Sequence, residues 1–221
     1  MEQLAAGRRL TLPLTLTPMT KDTSRQLWKP RSLDDTLQLY ADWADSYESD
    51  VKDWGYVTPT RIAQALAREM DDLTVPVLDF GCGTGLSGVA LREEGFASVD
   101  GTDISQEMIN RIEGREIYRK AWLSPPGELD ATPGAYGAIV AAGVISAGAA
   151  PAETMDMVLD RLGRGCFLAF SYNDATMDTA SYTDKLAEVQ ADGRAELIFS
   201  EHGDHLPGRD MSSMVYILRR L

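Results

Sequence analysis

Cysteine, histidine and positive charge are all scarce in this 221-residue chain, and it has no long apolar run. Its two cysteines, Cys82 and Cys166, are too few for a disulfide framework or a zinc site. Both fall where buried or tightly turning backbone is expected, so reduced thiols in a cytoplasmic setting are the simple reading. No apolar stretch approaches the roughly 20 residues of a membrane span. The basic pair Arg8-Arg9 precedes residues 10–16, which are threonine-rich and broken by Pro13, a poor signal peptide. Lys and Arg number 21 against 34 Asp and Glu, for a net charge of −13. Such a field repels phosphate backbones and anionic lipid, so neither nucleic acid nor membrane is an expected partner. The cluster Arg115, Arg119, Lys120 reads as a solvated helix face. No repeat and no Pro/Ser-rich linker divides the interior. The length therefore suits one α/β domain over 33–221, with a helical cover at 33–72 and a polar tail at 1–32. Met19 is a second candidate start within that tail.

From residue 33 onward, helix and strand patterns alternate, which predicts a parallel sheet covered on both faces. A helix is expected over 33–47. Thr58-Pro59 reads as a helix start, with Thr58 as cap and Pro59 at the first helical position. Ile62, Ala63, Leu66, Ala67 and Met70 then form a core-facing stripe. Strands are expected over 75–80, 97–103, 120–123, 137–142 and 166–172. Helices are expected over 86–94, from the cap Ser105 through Ile112, over 151–162 and over 178–189. Two last strands, 195–200 and 214–218, have no helix between them and suggest an antiparallel pair closing the sheet. The polar loop between them would hold both histidines, His202 and His205.

The densest signal is Asp79-Phe80-Gly81-Cys82-Gly83-Thr84-Gly85, where a strand runs through glycines into a helix. Glycine lets the backbone turn sharply and come close to a ligand, and amides at a helix start favour negative charge. Asp103 follows Asp79 by 24 residues, one strand–helix–strand step, and can take both hydroxyls of a ribose. A dinucleotide loop wants a third glycine where this chain has Leu86. The carboxylate of Asp79 would also oppose a pyrophosphate, whereas it suits a ligand with an ammonium group. S-adenosylmethionine (SAM) carries one, together with a sulfonium.

At these residues the chain resembles the class I SAM-dependent methyltransferases. The resemblance rests on residues 77–86, 99–105 and 136–145, and upstream on 40–48 and 54–59, where it is similar to the Williams–Beuren-region methyltransferase-like group. It implies a Rossmann-like, doubly wound sheet of seven strands, mostly parallel with an antiparallel last strand. It also implies roles. Asp79, Gly81, Cys82, Gly83 and Gly85 would hold the methionine end, with the backbone of Ala142 near it and Trp43 and Tyr47 covering it. Asp103 would take the ribose, Ile104 would pack on the adenine, and Trp122 would border it. Departures are visible too. The stretch Ala121-Trp122-Leu123 lacks the acid that relatives often place after the third strand. Ile145-Ser146-Ala147-Gly148 lacks the aromatic and histidines that the subgroup tends to carry.

No catalytic residue is assigned from the sequence. A base is needed only if the acceptor must lose a proton. His202 and His205 are candidates for that role, Asn173 is a candidate substrate contact, and Tyr172 reads equally as core. Three function classes stay open: methyl transfer to a small molecule, SAM binding without transfer, and a nicotinamide-dependent oxidoreductase.

Overall fold

Consecutive residues of the central strands belong to opposite faces of one sheet, and both faces are dry. Val77, Val140 and Ala169 pack with helix residues Ile62, Leu66 and Leu91 on one side. Leu78, Ile139, Leu168 and Phe170 pack with Met155, Leu159 and Val189 on the other. Burial on both faces explains why these strands read as continuous apolar runs rather than alternating ones. Each fully buried Leu or Ile in these layers contributes roughly 1.5–3 kcal/mol.

The computed structural model describes residues 35, 36, 38, 39 and 47–221. Residues 35, 36, 38 and 39 are helical, but most of the helix expected over 33–47 lies outside the described residues, as do the tail 1–32, Met19 and Trp43. The elements that follow are α1 Tyr47–Asp53, α2 Thr58–Glu69, β1 Val77–Phe80, α3 Leu86–Glu93, β2 Val99–Asp103, α4 Gln106–Ile112 and β3 Ala121–Leu123. Then come β4 Ala138–Ala141, α5 Thr154–Leu159, β5 Phe167–Asn173, α6 Asp174–Met177, α7 Ala180–Ala191, β6 Ala195–Leu206 and β7 Met211–Arg220. A 3₁₀ turn, Pro207–Arg209, joins the last two strands.

The seven strands lie in the order β3-β2-β1-β4-β5-β7-β6. The first five run parallel, β7 is antiparallel to β5, and β6 is antiparallel to β7. This is the Rossmann-like, doubly wound sheet with a reversed strand near its end. The order reverses beside β1, so the crevice for a ligand opens at the carboxyl ends of β1 and β4.

Three local expectations differ from the structure. Val57, not Thr58, is the N-cap of α2, and it makes no side-chain cap bond. The Thr58 hydroxyl is drawn instead to His205 and Ser213, which a local reading cannot foresee. The histidines are not in a loop, because β6 continues through Glu201-His202-Gly203-Asp204-His205 to Leu206. Arg115, Arg119 and Lys120 do not form a helix face, since α4 stops at Ile112. Arg119 makes a two-pronged pair with the buried Asp100, at 2.8 and 2.6 Å, and so ties the approach to β3 onto β2. Ser105 does cap α4, accepting from the Met108 amide.

No helix among the described residues is long and apolar enough to cross a membrane.

Candidate functional site

The glycine turn follows β1 because three of its residues sit at positive φ. Gly81, Gly83 and Gly85 have φ of 72°, 52° and 94°, which side-chain-bearing residues rarely adopt. Gly85 is also the N-cap of α3. A Cβ on Gly81 would lie 2.4 Å from Val144, so the turn packs tightly on the segment after β4. A Cβ on Gly83 would meet nothing within 4 Å, because Gly83 borders open space.

That space is a cavity of about 280 Å³ along the carboxyl edge of the sheet. Gly81, Gly83, Asp103, Ile104 and Ala142 line it, so the structure brings these five expected residues together. Gly83 and Asp103 are also bonded directly, the Gly83 amide donating to Asp103 Oδ2 at 2.8 Å. The Ser105 amide donates to Oδ1 at 2.9 Å. A carboxylate offers about four lone-pair directions, which these two bonds do not exhaust. Burial pushes the Asp103 carboxyl above its ordinary range, and the backbone donors oppose that shift.

Other expected residues are placed elsewhere. Asp79 is fully buried beneath the turn and does not line the cavity. Its Oδ2 accepts from Ser87 Oγ and Tyr118 OH, both at 2.6 Å, while Oδ1 has no partner among the described residues. Burial raises its pKa to about 6 against the pull of those two donors, and the charge of Asp103 adds to the rise. Cys82 is buried, and burial pushes its thiol well up, so it is no nucleophile. Gly85 faces Ile117, Ile112 and Tyr118 rather than the cavity. Trp122 is away from the lining too; its indole N–H is buried without a partner among the described residues, and Lys120 lies over its ring at 4.8 Å. Two residues further on, Ser124 lines the cavity and bonds Thr102 Oγ1 at 2.6 Å. Glu128 also lines it and brings a carboxylate to that end. Tyr47 begins α1, its side chain lying outside the described residues, as Trp43 does.

Four amides of the turn already have partners. Gly81 N and Cys82 N both donate to Thr102 O, Gly85 N donates to Cys82 O, and Gly83 N goes to Asp103. These four N–H groups are spent within the protein, so they form no cradle for a pyrophosphate.

The far wall is built from residues distant in sequence. Trp54, Tyr56, Asn173, His205 and Leu206 line it. Val51, Trp54 and Leu206 form a small apolar cluster, with Arg209 over the Trp54 ring at 4.2 Å. Asn173 caps α6 through Oδ1, and Tyr172 is core, packed among Phe170, Tyr182 and Tyr216. His202 is exposed. Tyr118 and the wall residue Leu206 carry no local signal of a site, and Trp54, Tyr56 and Thr58, though within the resembling stretch 54–59, receive no site role from it. For Tyr118, the trace is Gly88, a helical glycine whose Cβ would lie 2.4 Å from the Tyr118 ring.

A family described as a methyltransferase domain matches residues 35–215. The chain belongs to that family. Methyltransferase-like protein 27 of Homo sapiens is 28% identical over 123 residues, which are 54% of this chain and 50% of that protein. The match thus spans about half the length of that relative. The magnesium protoporphyrin IX methyltransferase of Synechocystis PCC 6803, solved with bound SAM, is 16% identical, with 90% of each chain covered and a TM-score of 0.55. The cyclase SpnF is 15% identical, with 73% of this chain and 81% of that one covered, at a TM-score of 0.55. At such identities the two structures share a fold with this methyltransferase domain.

Proposed function

We propose that the protein transfers a methyl group from SAM to a small-molecule acceptor. The observation that carries this reading is the joining of Gly83 and Asp103 at one cavity, with four of the turn amides already bonded within the protein. A pyrophosphate would find those four donors occupied, which together with Leu86 in place of a third glycine weighs against the nicotinamide reading. An adenosyl ligand without phosphates fits: open space at Gly83 leaves room for it, and Asp103 keeps lone pairs for a ribose.

Asp103 would hold the ribose, and Ile104 would pack on the adenine, whose amino group Glu128 is available to receive. Gly81 and the Ala142 backbone would border the methionine end. Asp79 acts from beneath, through Ser87 and Tyr118, to fix where the turn and α3 lie. When bound, SAM supplies a methyl group on a sulfonium, whose leaving thioether is neutral. The chain's own task is then to align the acceptor and exclude water, an effect worth about 7–11 kcal/mol in favourable cases.

Titration calorimetry tests the cofactor. SAM is expected to bind and NAD not to. Asp103→Ala should weaken SAM by roughly 1–3 kcal/mol, the scale of a lost charged hydrogen bond. Unchanged affinity in that variant would remove the ribose assignment. Incubation with methyl-labelled SAM and a metabolite extract tests transfer, and SAM binding with no labelled product would favour a binding protein without transferase activity.

A further inference from the structure

The acceptor end of the cavity has a polarity of its own. Along the sheet edge, Asp103 ends β2 on one side of the glycine turn, while Asn173 and His205 come from β5 and β6 on the other. His205 is buried, and its Nδ1 lies 2.8 Å from Thr58 Oγ1. Thr58 Oγ1 is 3.1 Å from Ser213 Oγ, which accepts from Arg61 Nη1 at 3.1 Å. Arg61 can only donate, and it is anchored by donation to Asp204 O, Glu201 O and Ser213 O. The order in which Ser213 accepts from Arg61 and donates to Thr58 has the Thr58 proton go to Nδ1. In that order each hydroxyl donates once and accepts once. The imidazole proton then sits on Nε2, the remaining polar atom of a side chain that lines the cavity.

Asn173 is arranged alike. Its Oδ1 accepts from Thr176 N at 3.0 Å and Thr176 Oγ1 at 2.8 Å, which leaves its amide NH₂ as a second donor in the lining, while the Tyr56 ring stands edge-on to His205 at 5.2 Å. Trp54 and Leu206, which pack together, and Met157 add apolar surface to the same cavity. The charged lining residues described, Asp103 and Glu128, are both acids and disfavour an anionic guest.

We propose that this end binds a neutral, largely apolar molecule through a lone-pair-bearing oxygen or nitrogen, held by the Nε2–H of His205 and the amide of Asn173. This assignment rests on the methyltransferase reading, because it names the acceptor that reading leaves open. Burial holds the His205 pKa down at about 4; Asp174 pulls it up and Arg61 pushes it further down. The ring is therefore a neutral donor at physiological pH, not a base waiting for a proton.

The test uses the full chain, ¹⁵N-labelled at histidine and loaded with S-adenosylhomocysteine, titrated with p-cresol, toluene and 4-methylbenzoate. The expected His205 spectrum is that of the Nε2–H tautomer. p-Cresol should bind saturably and shift Nε2, toluene should bind without moving it, and 4-methylbenzoate should bind at least about tenfold more weakly than p-cresol. His205→Gln, which keeps an N–H donor, should hold p-cresol within a few-fold of wild type, and His205→Leu should lose about tenfold. An Nδ1–H tautomer, p-cresol binding that leaves His205 unmoved, or equal affinity for 4-methylbenzoate would overturn the proposal alone. The tautomer measurement needs no variant, so it stands even if His205→Leu fails to fold. Failure of S-adenosylhomocysteine to bind the wild type would overturn the methyltransferase reading, and the proposal with it.

Discussion

A carboxyl group with no access to water must either find donors or stay protonated, and Asp79 does some of each. Ser87 and Tyr118 supply two donors to one oxygen, yet burial still lifts its pKa from 3.8 to about 6. A carboxyl raised on folding stabilises the native state most below its unfolded pKa, and that contribution is lost as pH rises through 6. In the cofactor-free protein, Asp79→Asn should therefore remove a loss on the order of 1–3 kcal/mol between pH 5 and 7.5. Urea midpoints at the two pH values measure it, and parallel behaviour of wild type and variant would show the carboxyl already ionised at pH 5. Asp103 and the turn glycines were legible in sequence because a strand–turn–helix signature is local. The Tyr118–Asp79 bond spans 39 residues and the Thr58–His205 bond 147, so no spacing rule could bring them together.

At the scale of elements, α3 is held against β2 by the ring of Tyr118 standing over Gly88 and Gly101. Alanine in a helix is ordinarily better than glycine by about 0.8–1.0 kcal/mol. At Gly88, however, the new methyl would lie 2.4 Å from Tyr118 Cζ and its hydroxyl. Overpacking costs typically about 1–3 kcal/mol, so Gly88→Ala should destabilise the protein despite its better propensity. A thermal melt checks this, and a raised midpoint would mean that Tyr118 moves aside freely. The parallel core strands were readable because burial on both faces leaves a continuous apolar run. The apolar pattern of strand β6 ends near Ser200, six residues short of Leu206, because the strand lies at the sheet edge and its Glu201, His202 and Asp204 are exposed polar residues. Backbone pairing to β7 carries it onward, through register shifts near Leu197 and Asp204.

For the whole molecule, two buried titrations oppose each other on acidification. The pKa of His205 is lowered from 6.5 to about 4, so the stability it contributes is present above 6.5 and lost as pH falls through 4. His205→Gln, which cannot titrate, should retain more stability than wild type over that window, by on the order of 3 kcal/mol. Urea unfolding at pH 6.5 and 4.5 reads the difference in progress, and identical losses in both proteins would show the imidazole charging without strain. Asp79 works in the opposite sense over the same range, so the double variant with Asp79→Asn isolates each contribution.

The wall formed by Trp54, His205 and Leu206 also orders events in time. Gly208 N donates to Trp54 O, and Val57 N donates to His205 O, so the wall closes only when the last hairpin meets the segment after α1. During synthesis the glycine turn and Asp103 leave the ribosome about a hundred residues before Leu206 does. A nascent chain therefore holds the residues proposed to meet a cofactor long before it has those proposed to meet a second molecule. On the proposed reading, discrimination between guests is the last property the growing chain acquires.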